Sequence, residues 1–128
     1  MSKADLRQSL EKIQSPRILA VGDLMLDHYS WGEVNRISPE APIPVMRVLQ
    51  EDQRLGGAGN VVVNLSALGA EVLVCGVTGK DETGDRIRKL LAENEVDPSG
   101  VIVSENYKSC LKHRMIAGQT HLLRMDID

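Results

Sequence analysis

The sequence contains no phenylalanine, one tryptophan and two tyrosines, so aromatic residues make up only 2% of its 128 positions. Aliphatic side chains must therefore fill any core, and platforms on which nucleic-acid bases could stack are scarce. Neither sign of charge dominates: 15 Lys and Arg against 18 Asp and Glu leave a net charge of −3. Such a balance argues against nucleic acid or an anionic membrane as a partner. Cysteine is limited to Cys75 and Cys110. Neither lies in a Cys-x-x-Cys pair or beside histidines at zinc spacing, and each sits in an apolar run. Buried free thiols are expected, and no metal site. No apolar stretch approaches the ~18 residues of a membrane span. The polar, amphipathic start lacks the charged-then-apolar order of a secretory signal. The chain reads as a soluble cytoplasmic protein, one domain or part of one.

What is present, 42% hydrophobic and 26% charged, is arranged as an α/β alternation. Residues 5–13 put Leu6, Leu10 and Ile13 on one helical stripe, which Pro16 ends. Residues 18–21 form a continuous apolar run closing on Gly22, the pattern of a strand covered on both faces. Residues 29–34 and 45–49 look like half-exposed strands. Pro39, Pro42 and Pro44 between them exclude helix and central-strand pairing. Residues 58–68 predict a helix apolar nearly all round, hence buried, with Gly69 as its C-cap. A second buried strand over 72–77 follows. Asp81 then caps a helix whose core stripe is Ile87, Leu90 and Leu91. Residues 101–103 predict a third strand, and 110–116 with 122–125 a hairpin turning at 117–119. Right-handed crossovers would connect the parallel strands, with the helices covering the sheet.

The stretch Arg54-Leu55-Gly56-Gly57-Ala58-Gly59-Asn60 stands at the mouth of the first apolar helix. It does not fit a dinucleotide fingerprint, because Gly57-x-Gly59 lacks the third glycine and follows the polar Glu51-Asp52-Gln53-Arg54 instead of a strand. A Walker A loop fails as well, since Gly79-Lys80 is followed by Asp81. Two readings stand for Gly56-Gly57: a plain loop–helix junction capped by Asn60, or a hinge where the backbone changes conformation close to a ligand. Asn60 offers a donor and an acceptor suited to a sugar hydroxyl. Asp27, just past the end of the first strand, favours the second reading. Open α/β sheets bind ligands at that end, and a carboxylate there can accept two hydroxyl hydrogen bonds, although it could also cap a turn. Asp23 reads as structural. Together these residues suggest a polyol site beneath a β lid.

These residues resemble a known family. Gly22-Asp23-Leu24-Met25-Leu26-Asp27, Gly56-Gly57-Ala58-Gly59-Asn60 and Leu68-Gly69-Ala70 are similar to the N-terminal half of ribokinase-like (PfkB) sugar kinases. The turn Gly79-Lys80-Asp81-Glu82-Thr83-Gly84 is similar to that family's second βα junction. Within the family, Trp31-Gly32-Glu33-Val34-Asn35-Arg36-Ile37-Ser38-Pro39-Glu40-Ala41-Pro42-Ile43-Pro44-Val45, with its glycine motif, resembles the heptose-7-phosphate kinase branch. The resemblance runs over about residues 15–128. It implies the N-terminal part of a three-layer α/β/α fold with a small β-sheet lid, at about 28–55 plus part of 108–125. It also implies transfer of the γ-phosphoryl of ATP, with Mg²⁺, to O1 of D-glycero-D-manno-heptose 7-phosphate, feeding ADP-heptose and lipopolysaccharide core synthesis. Asp27 and Asn60 would bind sugar hydroxyls, Gly56-Gly57 would be the lid hinge, and lids would pair in a homodimer. An adenylyltransferase domain often accompanies such kinases.

A sugar phosphate needs a cationic end to its pocket. Arg36, Lys112 and Arg114 are the candidates, with solvated strand-face charge as the competing reading. His28, His113 and His121 are scattered and receive no role. The resemblance departs at the family's later Gly-Ala-Gly-Asp motif, for which these residues have no counterpart. Thr83-Gly84-Asp85 comes too early and lies in a helix. No catalytic residue is therefore expected in this chain, which alone should be inactive and hold neither ATP nor Mg²⁺. The alternatives are part of another ribokinase-like sugar or nucleoside kinase, and a non-catalytic remnant that binds sugar phosphate or dimerises.

Overall fold

The computed structural model describes residues 3–13 and 15–128. Helix α1 (Lys3–Glu11) precedes strand β1 (Arg17–Val21). Two long strands, β2 (Leu24–Ile37) and β3 (Pro44–Gly57), lead into helix α2 (Ala58–Ala67). Then come β4 (Glu71–Gly79), α3 (Glu82–Glu93), a 3₁₀ turn at Pro98–Gly100, β5 (Val101–Ser104), β6 (Cys110–Ala117) and β7 (Thr120–Ile127). The strands form two sheets. One is parallel, in the order β1-β4-β5; the other runs β3-β2-β6-β7, with β2 and β6 parallel and the outer pairs antiparallel.

The two sheets share one core. Val72 and Val74 of β4 meet Val62 of α2 and Ile87, Leu90 and Leu91 of α3, and Leu24, Leu26 and Leu55 join them from the base of the second sheet. Alternation explains the pattern: in β4 residues 72 and 74 turn inward, while Leu73 between them is 38% exposed. The prolines of 38–44 act as expected. They confine that segment to a turn, closed by the Ser38 amide donating to the Ile43 carbonyl at 2.8 Å, before Pro44 opens β3. Gly69 ends α2 with a left-handed φ of 89°, the conformation a glycine C-cap supplies.

Two expectations about burial need correction. β1 is a sheet edge and not a doubly covered strand: Leu19 and Val21 are 61% and 74% exposed. α2 buries only Gly59 and Val62, leaving Val61 and Leu68 at the surface. The stripe Leu6, Leu10, Ile13 is exposed as well. The reason is common to β1 and α2. In the described residues α2 and α3 pack on one face of the parallel sheet, so an element apolar on all sides finds cover on one side only. Two of the three layers of an α/β/α arrangement are thus present here. Cys75 and Cys110 are free but only half-buried.

The second glycine-rich turn is a structural clip. Asp81 caps α3, its carboxylate accepting from the Gly84 amide at 2.7 Å and from the Ser109 amide at 2.9 Å. The Ser109 hydroxyl in turn accepts from the Gly79 amide at 2.8 Å, tying β4, α3 and the start of β6 together. A Cβ on Gly84 would lie 2.4 Å from the Gly79 carbonyl, which is why this turn needs glycine. Partial burial works to raise the pKa of Asp81, but the hydrogen bonds from the Ser109 and Gly84 amides outweigh it, and the carboxyl sits below its ordinary value. A depressed carboxyl contributes stability above its unfolded pKa of about 3.9 and loses it as pH falls through the folded value. Asp81→Ala should therefore cost about 1–2 kcal/mol in urea unfolding at pH 7. The gap between variant and wild type should narrow as pH is lowered through the carboxylate range.

Candidate functional site

Strand β2 leaves the core at Leu24 and carries its residues alternately to two faces. β1 ends at Val21, and Gly22-Asp23 alone separate it from β2. Asp27 therefore lies within β2, not in a loop past the first strand, because Leu24 and Leu26 are already drawn into the core on the opposite face. Its cross-strand partners are Arg54 of β3 and Lys112 of β6. Tyr29, two residues on, is opposite Asp52 and Arg114. One face of this sheet thus gathers Asp27, Tyr29 and Trp31 with Arg54, Lys112 and Arg114.

The charges on this face are mostly paired. Arg114 Nη1 donates to Asp27 Oδ1 at 2.6 Å, both side chains only about a fifth exposed at 21% and 20%. The hydrogen bond it donates to Asp27 raises the Arg114 pKa further, so the guanidinium keeps its charge at any physiological pH. Arg54 is held by Asp52 at 2.6 Å, and Arg124 by Asp126 at 3.0 Å. Lys112 has no ion pair or hydrogen bond among the described residues, so its ammonium is the uncompensated charge beside Asp27. The aromatic rings organise the rest: Tyr29 and Trp31 stack with centroids 5.4 Å apart, and the Arg114 and Arg54 guanidinium carbons lie 5.1 and 5.6 Å from the Tyr29 centroid.

The glycines bring the helix mouth to this carboxylate. Gly56 pairs with Met25 at the end of β3, and a Cβ there would stand 2.6 Å from Asp27 Oδ2. Gly57 holds a φ of 57°, and a Cβ on it would meet the Asp23 carbonyl at 2.5 Å. That carbonyl accepts from the Ala58 amide at 2.9 Å, fastening the start of α2 to the Gly22-Asp23 turn. Asn60 follows in the exposed first turn of α2, where its Oδ1 and its carbonyl accept from the Asn64 amide at 3.3 and 2.8 Å.

Asp27, Gly56, Lys112 and Arg114 are therefore neighbours, with Gly57 and Asn60 just beyond. Arg36 is not among them. It stands nine residues further along β2, about 30 Å away at ~3.3 Å per residue, in a shallow groove with Glu33, Asn35 and Arg47 near the far end of the sheet. Tyr29, Trp31 and Arg54 were not singled out from sequence. The signal that could have found them is the period-2 series 27, 29, 31 in a strand whose opposite face opens on the apolar pair Leu24 and Leu26.

The chain matches the model of the pfkB family carbohydrate kinases over residues 15–125. Its relatives include a Bifunctional protein HldE from Sulfurimonas denitrificans, 50% identical over 88% of this chain and 24% of that protein. A D-beta-D-heptose 7-phosphate kinase from Bordetella bronchiseptica is 48% identical over 92% of this chain and 37% of that one. The chain thus spans only about a quarter to a third of the length of these relatives. Among solved structures, a carbohydrate kinase from Agrobacterium tumefaciens shares the fold with a TM-score of 0.69 at 19% identity, covering 88% of this chain and 35% of that one. A fructokinase with bound ATP from Xylella fastidiosa gives 0.63 at 25% identity, covering 88% and 32%. No helix among the described residues is long and apolar enough to cross a membrane.

Asp27 and Arg114 should behave as a coupled pair. In a double-mutant cycle of Asp27→Asn and Arg114→Gln, followed by urea unfolding, the coupling should be about 1 kcal/mol, as for a partly screened ion pair. Additive losses would show that the two charges do not stabilise each other.

Proposed function

The chain belongs to the pfkB family of carbohydrate kinases, and from that premise we propose that it supplies the sugar-binding part of a kinase for D-glycero-D-manno-heptose 7-phosphate. In this reading the parent protein phosphorylates O1 with ATP and serves ADP-heptose and lipopolysaccharide core synthesis in the cytoplasm. The observation that carries it is the 48% identity, over 92% of this chain, to a protein named as a kinase of a heptose 7-phosphate. The site's chemistry supports it.

Asp27 presents a carboxylate against the bare backbone of Gly56. Sugar hydroxyls would donate to it, and the Arg114 pair holds it oriented for that task. Asn60 would take a further hydroxyl, and the Tyr29 and Trp31 rings would meet the C–H face of the sugar. Lys112, without an ion pair among the described residues, is the natural partner of the 7-phosphate. Arg114 is committed to Asp27, and Arg36 lies too far along the strand to share that role.

The residues present do not suit Mg²⁺ or the ATP phosphates. The carboxylates on the site face, Asp27, Asp52 and Asp126, are each neutralised by an arginine, whereas Mg²⁺ takes carboxylates together with substrate phosphates and water. No step is routed through ATP here, and this chain by itself would not turn over substrate. The four-stranded sheet would be the lid over the sugar. Its far end exposes Ile37, Ile43, Val48 and Leu49, apolar area that favours lid-to-lid pairing in a homodimer.

Calorimetry on the full-length protein tests the assignment. Heptose 7-phosphate should bind well above heptose lacking the phosphate and above fructose 6-phosphate. Asp27→Ala and Lys112→Ala should each weaken binding by about 1.5–3 kcal/mol, on the order of 10–100-fold, as expected for charged hydrogen bonds. Arg36→Ala should leave it unchanged. Equal affinity for fructose 6-phosphate would overturn the substrate, and unchanged affinity in Asp27→Ala would overturn the site.

A further inference from the structure

The face of the second sheet opposite Asp27 carries an independent constellation. His28 of β2 and His113 of β6 are register partners, and Ser30 of β2 stands opposite Glu51 of β3. All four side chains therefore project to the same side of three adjacent strands. The Ser30 hydroxyl, 1% exposed, donates to Glu51 Oε1 at 3.0 Å and lies 2.7 Å from His113 Nε2. His28 Nε2 is 3.2 Å from the same Glu51 oxygen. The two imidazoles stack with centroids 4.2 Å apart and planes at 4°.

Proton counting shows what holds this cluster together. A serine hydroxyl has one proton, and here it goes to Glu51. His113 must then supply a proton from Nε2 to the serine oxygen, and His28 one from Nε2 to the carboxylate. Two ring nitrogens and a carboxylate oxygen, all within 4.8 Å of one another, thus converge around protons that a metal ion could replace. Partial burial and the neighbouring His28 lower the His113 pKa, against the opposing pull of Glu51. Neutral imidazole is the form that ligates metal.

We propose that His28, Glu51 and His113 bind one divalent transition-metal ion that clamps β3, β2 and β6 together. Two imidazoles and a carboxylate suit Zn²⁺, Co²⁺ or Ni²⁺, and not Mg²⁺ or Ca²⁺, which prefer all-oxygen shells. Capture exchanges the Ser30–His113 hydrogen bond for a coordinate bond, shifts the proton of each ligating ring from Nε2 to Nδ1 and turns one ring out of the stack. A fourth position opens on the side of Glu51, whose side chain is 56% exposed. The site lies on the opposite face from Asp27, so it is separate from the sugar reading and stands or falls without it.

Co²⁺ added to the metal-free, full-length protein should give the visible bands of a four- or five-coordinate ion, saturating at one equivalent and displaced by Zn²⁺. His28→Gln and Glu51→Gln should each weaken binding at least ~10-fold, since even outer-shell partners of a metal cost that much when lost. His121→Gln should have no effect. Should a variant unfold, ¹⁵N NMR of the wild-type histidine rings serves instead. Zn²⁺ should shift His28 and His113 while leaving His121 in place. No stoichiometric Co²⁺ spectrum, affinity unchanged in both variants, or ring signals indifferent to Zn²⁺ would each overturn the proposal.

Discussion

The register of β2 against its two neighbours is the constraint on which both faces of this protein depend. With Asp27 opposite Arg54 and Lys112, the acidic, aromatic and basic groups of the candidate sugar site share one side. With Ser30 opposite Glu51 and His28 opposite His113, the histidine cluster occupies the other. A slip of one residue would exchange the faces wholesale, putting Leu24 and Leu26 into solvent and Asp27 into the core. The burial of those two leucines, 1% and 3% exposed, is what forbids the slip. The hydrophobic core thus sets the geometry of polar groups it does not touch.

Charge on the site face is organised by the same register. Three aspartates are each held by an arginine, so little net field is left except at Lys112. Pairing at this partial exposure adds little stability. Its consequence is positional: it fixes the Asp27 carboxylate beside Gly56 and, among the described residues, leaves Lys112 unpaired on this face. The aromatic pair adds a flat surface with arginines at its margin. In a chain so poor in aromatics, two of the three lie side by side on this face.

The glycine-rich stretches show how far composition could be read. A hinge was the natural reading of Gly56-Gly57, and the structure adds another reason for glycine there. Gly56 makes room for the Asp27 carboxylate, and Gly57 adopts a left-handed conformation close to the Asp23 carbonyl. The turn from Gly79 to Gly84 has the corresponding function at α3, where Asp81 is clipped by two amides. Asp81 as a cap and Ile87, Leu90 and Leu91 as the buried stripe were legible because each follows from spacing along one helix.

By itself, the sequence determined the alternation of elements, their caps and turns and the family motifs, and it offered Asp27, Gly56, Gly57, Asn60, Arg36, Lys112 and Arg114 as candidates. These are local properties, set by backbone preference and by periodicity within a single segment. Only the tertiary structure decided which candidates meet: Arg114 reaches Asp27 across 87 positions of sequence, and Arg36, on the same strand, does not. It also decided that His28, Glu51 and His113, unremarkable in sequence, converge, and that β1 and α2 keep an open apolar side. Those outcomes depend on which strands pair and in what register, a property of several distant segments at once that no one of them encodes.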